Sequence, residues 1–378
     1  MLEAVLLGVA GATLVALILW DAFETVLVPR RVGRRVRLTS VFYVVAWRAW
    51  RGLARGIRVQ NRREALLANF APLSILLLLA CWAGGLIVGF ALLQAAAGTV
   101  HGSGRWPYLL YMSGETFFTL GYGDITPHSH FGRLLSVLEA GMGFGFLGTV
   151  VGYLPTMYNA FSSRELEISL LDARAGSPPT AAEHFHRVPP MRGTEWMEPR
   201  LREWERWSAQ ILESTISYPL LAYYRSQHGN QSWLGTLTVA LDTSALVLAG
   251  ADGMPREQAQ LTFAMARHAM VDITQIFLVG PVQDLPDRLP APDLARLRDR
   301  LTHSMVHVPD TQEFGDRLAA LRRKYEPYAQ SLAAHLVITL PPWIHPEPRR
   351  DNWQSGPWDR KLETGKPAAT VVWDEEHY

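Results

Sequence analysis

The chain opens with long stretches that carry almost no charge. Leu2–Trp20 contains Glu3 as its one charged residue, Leu67–Ala97 contains none, and Leu134–Ala160 contains only Glu139. A membrane-spanning helix needs about 20 apolar residues to cross about 30 Å of hydrocarbon. Soluble helices of that length keep a polar face, and Leu67–Ala97 has none. The pattern predicts three transmembrane helices, all within the first 160 residues. Beyond them the chain becomes polar and periodic, with helix-like segments at Glu198–Gln227, Ser232–Ala249, Arg256–Phe277, Pro292–Ser304 and Asp310–Val337. Pro/Gly-rich joints at Gly176–Pro179, Gly250–Pro255 and Gly280–Pro292 separate several of these. Leu234–Ala249 is apolar but short for a fourth span, and it contains Asp242.

Charge adds a direction. The whole chain has 36 basic and 35 acidic residues, a net charge of +1. That balance hides an arginine block, since eleven of the 13 arginines in residues 1–160 lie between Pro29 and Ala65. Arginines that follow the first apolar run hold their side in the cytoplasm. The reading is an N-terminus outside, Arg30–Arg63 inside, and residues 161–378 in the cytoplasm of a multi-pass cell-membrane protein. Glu3 stands where a signal peptide carries Lys or Arg, so the first run reads as a retained span. Asp21 and Glu24 are expected to pair with Arg30 and Arg31, a divalent-metal site being the alternative. Within the block, Arg48, Arg51, Arg55 and Arg58 share one helical face, opposite Phe42, Ala46, Ala49, Trp50, Leu53 and Ile57. That predicts an interfacial helix with its arginines toward anionic lipid. A voltage sensor, which also repeats arginine at such spacing, needs more spans than this chain has.

Composition excludes further classes. A single cysteine, Cys81, rules out an internal disulfide framework and a cysteine-cluster metal site. Balanced charge without a reading motif gives no case for nucleic acid. No metalloprotease, P-loop or nucleophile-elbow motif is present, so the expectation is a non-enzyme without a cofactor. The pattern GxGxxG at Gly143–Gly148 lies inside a span with no strand before it, which removes its dinucleotide meaning.

The connection between the second and third spans is the informative one. Trp106–Thr119 reads as a helix too short to span, followed by Thr119-Leu120-Gly121-Tyr122-Gly123-Asp124. This TLGYGD hexapeptide resembles the selectivity filter of the potassium channel superfamily, and the resemblance covers residues 67–160. It implies K⁺, as permeant ion, bound by carbonyls of Thr119, Leu120, Gly121 and Tyr122, with the Thr119 hydroxyl completing the innermost site. Gly121 and Gly123 permit the positive φ that such a strand requires. One chain supplies one filter strand, so a closed ring implies a homotetramer.

Other positions follow from the same resemblance. Glu115 is expected to pair with Asp124 and share a proton, with Tyr111 reaching Asp124. Gly132-Arg133 matches the start of the inner helix, and Gly143 matches a hinge. The inner helix also holds Gly141, Gly145, Gly148 and Gly152, for which close packing is the expectation. Pro155 marks a place for a kink and a gate. Glu139, an acid within the span, is expected to face the pore helix near Ser113 or Thr116.

The resulting expectation is an all-α membrane protein, a pore-loop channel with three transmembrane helices per chain and an all-α cytoplasmic domain. Its parts are residues 1–28 (first span), 29–65 (basic interfacial segment), 66–160 (outer helix, pore helix, filter, inner helix), 161–340 (helical domain) and 341–378 (extended or disordered tail). The helical domain is expected to gate the pore in response to an unknown ligand or protein partner. Tyr223, Tyr224 and Arg225 with Gln227, His228, Gln231 and Trp233 suggest a polar pocket, or alternatively helix-end packing and capping. A poorly selective cation channel and a membrane-anchored sensor with a vestigial pore are the other readings the sequence leaves open.

Overall fold

A computed structural model describes residues 1–26, 28, 37–99, 105–187, 195–227, 230–282, 286–304 and 306–346. Twelve α-helices are assigned among these residues, and no strand. They are α1 (Leu2–Val26), α2 (Leu38–Arg55), α3 (Gln60–Ala96), α4 (Arg105–Phe117), α5 (His130–Ala175), α6 (Ala181–His186), α7 (Met197–Ser217), α8 (Trp233–Ala249), α9 (Arg256–Ile276), α10 (Ala291–His303), α11 (Gln312–Arg322) and α12 (Glu326–Leu336). The chain divides into two compact units, Met1–Arg58 with Asn69–Asn159, and Val59–Ala68 with Ala160–Tyr378. The helices α1, α3 and α5 are each long and apolar enough to cross a membrane. This is an all-α membrane protein.

In the first unit, α1 and α3 approach closely because small residues meet large ones. A Cβ on Gly11 would stand 2.7 Å from the Gly89 carbonyl oxygen, and one on Gly89 would stand 2.7 Å from Val15 Cγ2. A Cβ on Gly85 would overlap Ile18. Gly85 and Gly89 are four apart, the spacing by which glycines line one helix face for contact in lipid. Around this seam Val15, Ile18, Leu78, Trp82, Leu86, Phe90 and Phe117 are buried together. On α5, by contrast, Val137, Phe144, Leu147 and Val151 are exposed on the single chain, a distribution suited to lipid or to further subunits.

At the far end of α1 a polar knot joins α1 to α2 and α3. Asp21 is buried and accepts from the Thr39 backbone N–H (3.2 Å), the Thr39 hydroxyl and Trp82 Nε1 (3.0 Å). Glu24 accepts from Trp20 Nε1 at 2.8 Å and pairs with Arg37 at 3.5 Å. These partners differ from Arg30 and Arg31, which lie outside the described residues.

The helix α2 also packs on α3. Thr39, Trp47 and Ala54 are buried, and Ala49 and Leu53 are exposed. The cause is aromatic: Phe70 of α3 takes the rings of both Trp47 and Trp50, at centroid distances of 4.8 and 5.9 Å. Arg48 and Arg55 are exposed and Arg51 is half-buried, and Arg58 falls beyond the helix, which ends at Arg55.

The second unit is built on α8, in which every residue but Leu248 is buried. A helix apolar on all sides is a core helix; α9 packs most extensively on it, and α11 also contacts it. Its one charge, Asp242, takes a two-pronged ion pair from Arg288 (2.8 and 3.2 Å) and the Tyr325 hydroxyl (2.5 Å). Two of the expected helices are interrupted. Pro219 ends α7 and begins a 3-10 turn at Pro219–Tyr223, since proline offers no N–H to continue the ladder. Asp310–Val337 splits into α11 and α12 at Arg323–Tyr325, with a proline opening α12. The short α6 was not expected, yet Thr180 caps it by accepting from the Glu183 N–H at 3.1 Å, a Thr-x-x-Glu start signal. Residues 341–346 are non-helical but anchored, with Trp343 buried and its carbonyl taking the Ala182 N–H at 3.2 Å. The rest of the expected tail, 347–378, lies outside the described residues.

Candidate functional site

The short helix α4 sits on α3 through Leu109 and Met112, both buried with Ala91 and Ala95. Its C-terminus is closed by two hydrogen bonds, Leu120 N–H to Glu115 C=O (2.8 Å) and Thr119 N–H to Thr116 C=O (3.1 Å). That pair is a Schellman cap, which requires a left-handed residue at the position Thr119 holds. Thr119 has φ 56° there, where a β-branched residue is strained and glycine is usual. The left-handed conformation then recurs at alternate positions, at Gly121 (φ 67°) and Gly123 (φ 76°), while Leu120 and Tyr122 stay out of it. Such alternation turns successive carbonyls toward a common side. Residues 118–124 are exposed on the single chain.

Two carboxyls stand behind this loop, with different partners. Glu115, buried on α4, accepts from the Gly123 backbone N–H at 3.2 Å. Asp124 accepts from the Tyr111 hydroxyl at 3.4 Å. The expected proton-sharing contact between Glu115 and Asp124 is not formed among the described residues. The backbone N–H that the loop turns toward Glu115 takes its place.

The inner helix packs on α4 through several contacts, two of them very close. At the first, Ser113 Oγ lies in hydrogen-bond contact with Glu139 Oε1, and Glu139 is fully buried. At the second, one turn later, a Cβ on Gly143 would overlap the Phe117 carbonyl oxygen. Close packing was the expectation for Gly141, Gly145, Gly148 and Gly152, but an added Cβ at those four meets nothing within 4 Å on the same chain. It is Gly143 that is closely packed. The helix continues through Pro155 as far as Ala175.

A network not foreseen from the sequence fixes the start of α5. Gln94, fully buried, accepts from the Thr99 hydroxyl at 2.7 Å and donates to Gly132 C=O and Ser136 Oγ, both at 3.1 Å. Gly132 is small for this reason, since a Cβ there would lie 2.7 Å from Thr99 Oγ1. The legible signal was Gln94 itself, an amide near the end of an uncharged run.

In the second unit, the residues around Tyr223 cap and pack. Arg225 donates to the Leu336 and Val337 carbonyls (2.7 and 2.9 Å) at the end of α12, and Tyr223 Oη lies 3.3 Å from His335 Nε2. A cation at helix-terminal carbonyls meets their partial negative charge. His228, named with this group, lies outside the described residues.

A family model described as an ion channel matches residues 75–159. The matched segment takes in most of α3, all of α4, the TLGYGD loop and α5 as far as residue 159. Comparisons of the chain with curated proteins and with solved structures gave no match. Over residues 75–159 the chain is similar to an ion-channel domain.

Proposed function

We propose that the chain is one subunit of a homotetrameric, potassium-selective channel whose filter is Thr119–Gly123. The observation that carries this is the alternation of left-handed backbone at Thr119, Gly121 and Gly123, directly after a short capped helix between two spans. A dehydrated K⁺ needs oxygens on every side, and carbonyls turned to one axis supply them in place of water. One chain presents one such strand, and four close the ring. Exposure of Leu120 and Tyr122 on the single chain fits a loop completed by its neighbours. Tyr122 braces the strand, Glu115 holds the Gly123 N–H, and Tyr111 holds Asp124. The carbonyl end of α4 carries partial negative charge and favours a cation beside it.

In this reading residues 161–340 lie in the cytoplasm and bias the pore in response to a ligand or protein. Arg48, Arg51, Arg55 and Arg58 contact anionic lipid at that face. Support for coupling is the continuity of α5, one helix from His130 to Ala175, with Gly143 and Pro155 as the positions where bending would gate. Conduction is passive, with no covalent step. The reading is tested by ion flux through the purified protein in liposomes, comparing K⁺ with Na⁺ and the wild type with Tyr122→Ala.

A further inference from the structure

Ser113 of α4 stands between two oxygens. Its Oγ lies 2.7 Å from the Ile87 carbonyl of α3 and also contacts Glu139 Oε1 of α5. A serine hydroxyl has one proton to give, and a peptide carbonyl can only accept. An ionised carboxylate can also only accept. With Glu139 ionised, one of the two oxygen–oxygen contacts therefore contains no proton and is repulsive. With Glu139 protonated, the acid donates to Ser113 Oγ, Ser113 donates to Ile87, and each contact holds one proton.

The surroundings agree with a neutral acid. Glu139 is fully buried, and its Oε2 has no hydrogen-bond partner among the described residues. An ionised group there would leave an uncompensated charge out of water. Among the described residues no cation is paired with it. The α3 segment from 67 to 97 has no charged residue, and the nearest charge on α4 after Ser113 is the acid Glu115. On α5 the nearest base is Arg133, six residues before Glu139, which donates to the Pro127 carbonyl at 3.3 Å.

We propose that Glu139 is a positioning residue held as a neutral carboxylic acid. Its proton, passed on as a hydrogen bond through Ser113 to the Ile87 carbonyl, ties α5, α4 and α3 together behind the filter loop. What it positions rests on the channel reading; where its proton lies does not. One turn further along α5, Gly143 receives the Phe117 carbonyl at the end of α4. The same stretch of inner helix thus fixes the middle of α4 and its junction with Thr119.

Infrared spectra of the full-length protein in liposomes at pH 7, wild type minus Glu139→Gln, read the proton directly. The expected result is a carboxylic-acid C=O band in the wild type that the variant lacks. A difference spectrum containing only ionised-carboxylate bands overturns the assignment, whatever the vesicles conduct. Flux reads the positioning. Glu139→Gln, whose amide N–H replaces the acid as donor, should keep the K⁺-over-Na⁺ permeability ratio within about twofold. Glu139→Leu and Ser113→Ala should lower it by about tenfold or more, the scale of one lost buried hydrogen bond. Equal ratios in all four proteins overturn the positioning role even with the band present. Wild-type vesicles without flux would refute the channel reading, and the infrared band would still decide the proton. The infrared measurement needs only the wild type and an isosteric variant, so a misfolded Glu139→Leu chain does not block it.

Discussion

Gly143 of α5 lies against the Phe117 carbonyl at the end of α4, so closely that a Cβ on Gly143 would overlap that oxygen. Glycine inside a helix ordinarily costs about 1 kcal/mol relative to alanine, and here the cost permits two helices to touch. Gly143→Ala should therefore destabilise, because forcing atoms into a packed contact costs about 1–3 kcal/mol and outweighs the gain in helix propensity. Gly52→Ala on α2, where an added Cβ meets nothing within 4 Å, should stabilise by up to about 1 kcal/mol. Thermal unfolding of the two variants in detergent checks the opposite signs.

Thr119 carries a conflict between stability and function. Its left-handed backbone (φ 56°) costs a non-glycine residue about 1–2 kcal/mol, partly offset because glycine loses more entropy on folding. Thr119→Gly is expected to unfold at a slightly higher temperature than the wild type. It should also lose K⁺ selectivity, because the hydroxyl proposed for the innermost site is gone. Melting and flux measured on the same preparation separate the two effects.

Asp21 collects three buried donors from two other helices, the Thr39 N–H, the Thr39 hydroxyl and Trp82 Nε1. Asp21→Ala leaves them unsatisfied, and each orphaned buried group costs about 1–3 kcal/mol. The variant should lose several kcal/mol of stability, with Asp21→Asn intermediate because one oxygen still accepts. Thermal unfolding of the three proteins in detergent checks the order.

These residues also mark where the sequence was legible. The spans could be read because lipid imposes length and apolarity, and the TLGYGD loop because its backbone demands particular residue types. The partner of Asp21 could not be read. Thr39 is 18 residues away and Trp82 is 61 away, and nothing local distinguishes either. The packing of α2 on α3 could not be read either, because counting apolar positions does not reveal that Phe70 will take Trp47 and Trp50 together. Glycine spacing suggested bending or close packing along α5, with Gly143 as the hinge, and that Gly143 itself packs closely depends on where α4 ends. Arg323–Tyr325 broke an expected helix for a tertiary reason, since Tyr325 is fully buried and turned to Asp242.

Acid should weaken the second unit in a way that one side chain controls. Burial first, and then the charges of Arg200 and Arg174, push the His184 imidazole down from 6.5 to about 3. The unfolded chain takes up this proton near its ordinary value and the folded chain does not. The stabilisation is therefore complete above about pH 6.5 and is lost as pH falls toward about 3, at up to about 1.4 kcal/mol per pH unit. His184→Phe, placed among Phe185, Trp196 and Trp204, should remove this component. Urea denaturation of both proteins at pH 7 and pH 5 gives the difference.

Thr119–Gly123 is proposed to select K⁺. The direct measurement is the reversal potential across a planar bilayer containing the purified protein, with K⁺ on one side and Na⁺ on the other. The expected result is a potential close to the K⁺ equilibrium value, with the current abolished in Tyr122→Ala. Current that reverses near zero, or current unchanged in Tyr122→Ala, would contradict the account.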